Sequence, residues 1–143
     1  SRLIEVNDEL IYVSYSWIGC AGWLIERRTL RVWALGSVHS LPVHVWAYYQ
    51  GCDPDRESSN DLVVTSVRDW KKTEGVFRGT YHVAWWLGVE KRRLQSLPAR
   101  FHGLRLYQGW TLLYRAQRNN WFQFNIEPPT PEPNLRPGAN GSV

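Results

Sequence analysis

Ser40-Leu41-Pro42-Val43-His44-Val45-Trp46-Ala47-Tyr48-Tyr49-Gln50-Gly51 (SLPVHVWAYYQG) has an echo later in the chain, where Ser96-Leu97-Pro98 again runs on to Tyr107-Gln108-Gly109. A repeated phrase directs attention upstream of each copy, because an internal repeat determines the fold ahead of local propensity. Asn7-Asp8-Glu9-Leu10 begins an apolar run that ends at Trp17, and Asn60-Asp61-Leu62 begins another that ends at Trp70. A glycine follows each, Gly22 or Gly75, and then a run rich in β-formers that closes on Leu35-Gly36 or Leu87-Gly88. The preserved order reads as a tandem duplication over residues 7–51 and 60–109, with spacings that drift between the copies.

Inside the first phrase, Val43, Val45, Ala47 and Tyr49 alternate with His44, Trp46 and Tyr48. That is the period of a strand with one core face and one aromatic face, and Pro42 at its start costs no ladder hydrogen bond. The same reading gives a strand at 10–17, a hairpin from 23–26 and 30–35, and a strand at 62–67. It gives a charged loop tip at 71–74, an extended pair over 76–87 and closing strands at 104–106, 110–115 and 121–126. Nine Trp, seven Tyr and no Met suit half-buried pleated surfaces.

The expected fold class is therefore all-β. Two tandem small β-barrels are expected at residues 1–52 and 61–126, the second with extra C-terminal strands. A linker at 53–60 joins them, and a disordered, proline-rich tail follows at 127–143. A chain of 143 residues accommodates two such units, each marginal alone and stabilised by the other.

Charge separates the two halves. Residues 1–52 hold four basic and four acidic side chains, whereas residues 61–118 hold eleven basic and four acidic, +7 against a total of +4. Such asymmetry is the footprint of one half facing a polyanion or an acidic protein surface. No apolar run reaches membrane-spanning length and no signal peptide is recognised, so no membrane partner is expected and a cytoplasmic location is. Cys20 and Cys52 are too few for a disulfide framework and are expected to be reduced. His39 and His44 are read as loop and strand-face residues, with no third ligand to complete a metal site. No phosphate loop, carboxylate pair or serine elbow is present, and no cofactor is expected.

The succession of acidic start, glycine bend, Trp- and Tyr-rich strands and Leu-Pro resembles the Tudor, Agenet and KOW branch of the SH3-like barrels. The resemblance is carried by Tyr81-His82-Val83-Ala84-Trp85, Gly88-Val89-Glu90-Lys91-Arg92 and Leu97-Pro98. It implies a binding module for nucleic acid, for methylated or proline-rich peptides, or for a neighbouring domain, and fold alone does not choose among them.

For nucleic acid, the phosphate-contacting set is Arg68, Lys71, Lys72, Lys91, Arg92, Arg93, Arg100 and Arg105, with Trp86 as a base-stacking platform alongside Trp70 and Tyr107. For a peptide, Trp46, Tyr48 and Trp86 form an aromatic groove, and the chain's own tail (EPPTPEPNLRP) is a proline-rich ligand of the extended type. A third reading is enzymatic. Gly19-Cys20-Ala21-Gly22-Trp23 and the segment from His82 to Gly88 resemble the Cys and His regions of NlpC-type cysteine peptidases, implying Cys20 as nucleophile, His82 as base and His102 as orienting residue. Gly19 stands where that family commonly has an aspartate, and residues 20–26 read as a strand rather than the helix that would activate a thiol.

Overall fold

A computed structural model describes residues 2–17, 19–53, 58–81 and 88–131. The chain opens with an antiparallel meander of β1 (Arg2–Glu5), β2 (Leu10–Trp17), β3 (Cys20–Glu26) and β4 (Val32–Gly36), in spatial order β1-β2-β3-β4. Helix α1 (Leu41–Tyr49) follows. A second sheet has the order β6-β5-β7, with β5 (Asn60–Val67) antiparallel to both β6 (Ala99–Leu104) and β7 (Phe122–Glu127). Between its strands lie α2 (Trp70–Tyr81), α3 (Val89–Arg93), a 3₁₀ turn (Leu106–Gly109) and α4 (Trp110–Arg118).

The described residues form a mixed α/β fold with two open antiparallel sheets and, among them, no closed barrel, which overturns the all-β, twin-barrel expectation. SLPVHVWAYYQG is the turning point, because it is a helix. Ser40 is extended (φ −73°, ψ 161°) and Pro42 sits in the first turn, where its missing N–H would be unpaired in any case. Val43 and Ala47, one turn apart, are buried together with His44. The β-branched valines are tolerated because packing overrides a propensity worth less than about 0.7 kcal/mol per residue.

The echo does not repeat this geometry. Ser96-Leu97-Pro98 lies in the bend that enters β6, and Tyr107-Gln108-Gly109 belongs to the 3₁₀ turn. The duplication is one of letters and not of structure.

Three further expectations change for the same reason. The charged tip at 71–74 and the start of the extended pair at 76–87 are one helix, α2. Its buried Thr73, Val76 and Phe77 have the i, i+3, i+4 spacing of a helical stripe. Asp69 caps it, Oδ1 accepting the Lys72 N–H at 3.0 Å. Residues 110–115 belong to α4, which buries Trp110, Leu113 and Ala116 on one side. Residues 104–106 straddle the end of β6 and the start of the 3₁₀ turn. The strands at 10–17, 62–67 and 121–126 and the hairpin before α1 are present, with small shifts of boundary.

Two hydrophobic clusters result. Leu10, Leu24, Trp33 and Leu35 of the first sheet form one, against which Leu41, Val45 and Tyr48 of α1 pack. The other is larger and holds Leu62, Val64, Phe77, Phe101 and Phe122, and it takes Val43 and Ala47 from the opposite side of α1. That helix is therefore shared between the two cores.

Candidate functional site

The α2–α4 side of the molecule gathers positive charge around an aromatic ring. The Trp121 carbonyl accepts the backbone N–H groups of both Arg68 and Asp69 at 2.9 Å, which pins the start of α2 to the corner between α4 and β7. With that corner fixed, the Lys72 ammonium stands 5.4 Å over the Trp121 ring, a cation–π contact. An open groove of about 640 Å³ runs beside it, lined by Lys71, Lys72, Glu74, Arg78, Leu112 and Trp121. Glu74 is engaged by Lys91 at 3.1 Å and Arg78 at 3.9 Å, so its charge is offset within the chain.

Helix geometry explains why these cations converge. Lys71, Glu74 and Arg78 are spaced i, i+3, i+7 and fall on one helical face, and Leu112 is where α4 approaches α2. The approach is close: a Cβ built on Gly79 would lie 2.7 Å from Leu112 Cδ1.

The nucleic-acid set chosen from sequence divides. Arg68, Lys71 and Lys72 are exposed at or beside the groove, and Lys91 reaches it through Glu74. Arg92 is exposed on α3. Arg93 is half-buried, its Nη1 3.5 Å from the Arg100 carbonyl, and Arg105 is exposed just beyond β6. Arg100 is committed elsewhere, donating to Asp61 at 2.9 Å and to Glu127 at 2.7 Å on the outer face of the second sheet. Trp86 and His82 lie outside the described residues, as does most of the Tyr81–Trp85 segment on which the barrel resemblance rested. Arg78 and Trp121 were missed because a strand reading of 76–87 hides the i, i+7 relation of Lys71 to Arg78.

Arg100 belongs to a cage around Asp61, a wholly buried carboxylate. Its Oδ2 accepts from Arg100 and from the Thr130 N–H (3.2 Å) and hydroxyl, and its Oδ1 accepts the Gly103 N–H at 2.9 Å. Burial raises the Asp61 pKa, but the bonds from Thr130, Gly103 and Arg100 outweigh it and hold the carboxyl at about 2. His102 Nδ1 lies 3.4 Å from Asp61 and 3.1 Å from the Thr130 hydroxyl. Since Thr130 donates to Asp61, it accepts from His102, and both partners meet the same ring nitrogen. That arrangement fixes a carboxylate and does not relay a proton to a nucleophile. Residues 128–131 of the expected flexible tail are thus anchored through Thr130 on the second sheet.

His39 lies in the turn between β4 and α1, as expected, whereas His44, expected on a strand face, is on helix α1; both are buried. His39 contacts the Tyr107 carbonyl through Nε2 and Thr111 Oγ1 through Nδ1 at 2.7 Å. A carbonyl only accepts, so Nε2 carries the proton and Nδ1 accepts from the threonine. His44 Nε2 donates to the Gly36 carbonyl at 3.0 Å. The rings are 5.7 Å apart, edge to face, and Trp110 packs against both. Burial lowers the pKa of each.

Trp46 and Tyr48 do not share a groove. Trp46 points to α4, donating to Gln117 Oε1 at 2.6 Å, whereas Tyr48 packs on Trp33 and donates to Glu26 at 2.7 Å. Cys20 opens β3 in the first sheet with its thiol 3.5 Å from the Gly22 carbonyl, and His102 lies in β6 of the second, its Nδ1 against Thr130 and Asp61. Burial pushes the Cys52 thiol up to about 12.

Comparison with known proteins finds no matching family model, no similar curated protein and no matching solved structure. Among the described residues, no group of three His, Cys, Asp or Glu side chains is placed to hold a metal, and no helix is long and apolar enough to cross a membrane.

Proposed function

We propose that this chain is a non-enzymatic binding module that holds a polyanion, nucleic acid foremost, in the α2–α4 groove. The observation that carries the reading is the convergence of Lys71, Lys72 and Arg78 on one groove beside Trp121, with Glu74 already neutralised by Arg78 and Lys91. Phosphates would be met by the lysines and Arg78, with Arg68 extending the track past the start of α2. Trp121 and Leu112 supply the apolar floor against which a base or sugar can lie.

Affinity from such contacts arises largely by counterion release and falls steeply with salt. Fluorescence anisotropy with single- and double-stranded oligonucleotides, in a salt series from about 50 to about 300 mM, measures this directly. Binding that weakens with salt and is lost in the Lys71→Ala/Lys72→Ala double variant supports the proposal. Absence of binding to both oligonucleotides at the lowest salt overturns it.

A further inference from the structure

One flank of the α2–α4 groove carries a second aromatic ring, beyond the residues that line it. Of the tryptophans whose side chains are described, Trp70 alone is exposed, 47 %. It opens α2 one turn before Glu74 and two before Arg78, and the i, i+4, i+8 spacing puts it on one stripe with these two groove-lining residues. At 3.6 residues per turn, Arg78 and Lys71 follow that stripe around the helix, then Gly75, then Lys72 over the Trp121 ring. The outer surface of α2 is thus a strip of cations with an indole at either flank.

Gly75 keeps this strip low. A Cβ placed on it would meet nothing within 4 Å, so one turn past Lys71 and Lys72 the groove wall is bare backbone facing open space. The neighbouring acids are occupied within the chain. Glu74 pairs with Lys91 and Arg78, and Asp69 Oδ1 accepts the Lys72 N–H as the helix cap.

We propose, building on the polyanion reading of the groove, that its ligand is a single-stranded stretch of nucleic acid, with unpaired bases stacked on Trp70 and Trp121 and the backbone held by the cations between them. Two magnitudes select a single strand over a duplex. From Lys71 to Arg78 is only about 10 Å of helix, which meets a few phosphates, and Arg78 shares its charge with Glu74. A duplex offers this surface its phosphates while its base faces stay hidden in the stack, so it gains little beyond those contacts. An unpaired base adds its face, and stacking on an aromatic side chain is worth about tenfold in affinity per base with little regard to which base it is. Stacking releases no counterions, so the preference for a single strand persists as salt rises and the phosphate contacts weaken. DNA and RNA share the base faces that the indoles meet and differ in the 2′-hydroxyl.

Fluorescence anisotropy on the full chain at about 50 mM salt compares four labelled ligands of about 12 nucleotides: oligothymidylate, oligouridylate, an abasic oligomer with the same phosphates, and a duplex. At least one of the two single strands is expected to bind about tenfold tighter than both the abasic oligomer and the duplex, and the tighter of the two tells DNA from RNA. Trp70→Ala, at an exposed position, narrows the gap between that strand and the abasic oligomer about fivefold, whereas Trp70→Phe keeps most of it. Circular dichroism checks that both variants are folded. Single strands that bind no tighter than the abasic oligomer or the duplex overturn the proposal and leave the groove as a general polyanion site, and so does a gap that Trp70→Ala leaves intact. No binding of any of the four overturns the polyanion reading itself, and this proposal with it.

Discussion

Arg100 and Asp61 are joined by a 2.9 Å ion pair across two strands of the second sheet, with Asp61 fully shielded from solvent and Arg100 partly open to it. A buried carboxylate is stable only while its hydrogen bonds are complete, because an uncompensated buried charge is costly. Arg100→Met is therefore expected to destabilise the chain by about 3 kcal/mol at pH 7. Urea unfolding checks this, and Arg92→Met, on the exposed residue of α3, serves as the comparison.

The same carboxylate sets an acid limit. Its folded pKa of about 2 lies below its ordinary value, so its contribution is present above about pH 4 and is lost as pH falls through the folded value. The size of that loss is about 2 kcal/mol. Unfolding curves between pH 7 and pH 2 should show the decline in the wild type and a flatter dependence in Asp61→Asn, which starts from lower stability.

Thr130 makes the end of the chain part of the fold. Thr130→Val removes the hydroxyl donor to Asp61 and is expected to cost about 1 kcal/mol. A chain ending at Glu127 should lose at least as much, and one ending at Pro131 very little. Thermal melts of the three separate an anchored segment from a passive one.

His39 and His44 predict a second pH dependence, of the same sign and nearer neutrality. Burial depresses both folded pKa values, so the unfolded chain takes up protons first as pH falls below about 6.5. Stability present above that pH declines as pH falls below it. Denaturant midpoints on either side of that pH measure it, and replacing His44 with Gln should flatten the slope.

Gly22 tests the packing of the first sheet. Its φ of +131° is one that side chains rarely adopt, and a Cβ there would meet the Val13 carbonyl oxygen at 2.3 Å. Gly22→Ala is expected to lower the melting temperature by well over 5 °C, whereas Gly75→Ala, with open space around it, should be neutral or mildly stabilising.

The first half of the fold was legible because its strands announce themselves locally. Residues 10–17 alternate, and Arg27-Arg28-Thr29 breaks two β-rich runs. The helices were hidden by composition. VHVWAYY alternates as well as any strand, and only burial of Val43 with Ala47 on one side and contact of Val45 and Tyr48 on the other reveals a helix wedged between two cores. That information is non-local and does not reside in the heptapeptide. In α2, by contrast, Asp69 ahead of Thr73, Val76 and Phe77 was a readable cap and stripe, obscured by expecting a second copy of the first half. The basic excess of residues 61–118 was read from counting alone. Which cations stand together needed α2 as a helix, and the removal of Arg100 to Asp61 needed the pairing of β5 with β6.

Helix α1 gives part of its surface to each core. Neither sheet can open without stripping apolar side chains from the helix that also seals the other, so the chain should unfold in a single cooperative step despite its two clusters. Hydrogen exchange would register this as a shared ceiling. The amides of Leu24 in the first sheet and Val64 in the second should exchange with the same free energy, that of the whole chain, and a nick in either half should loosen both.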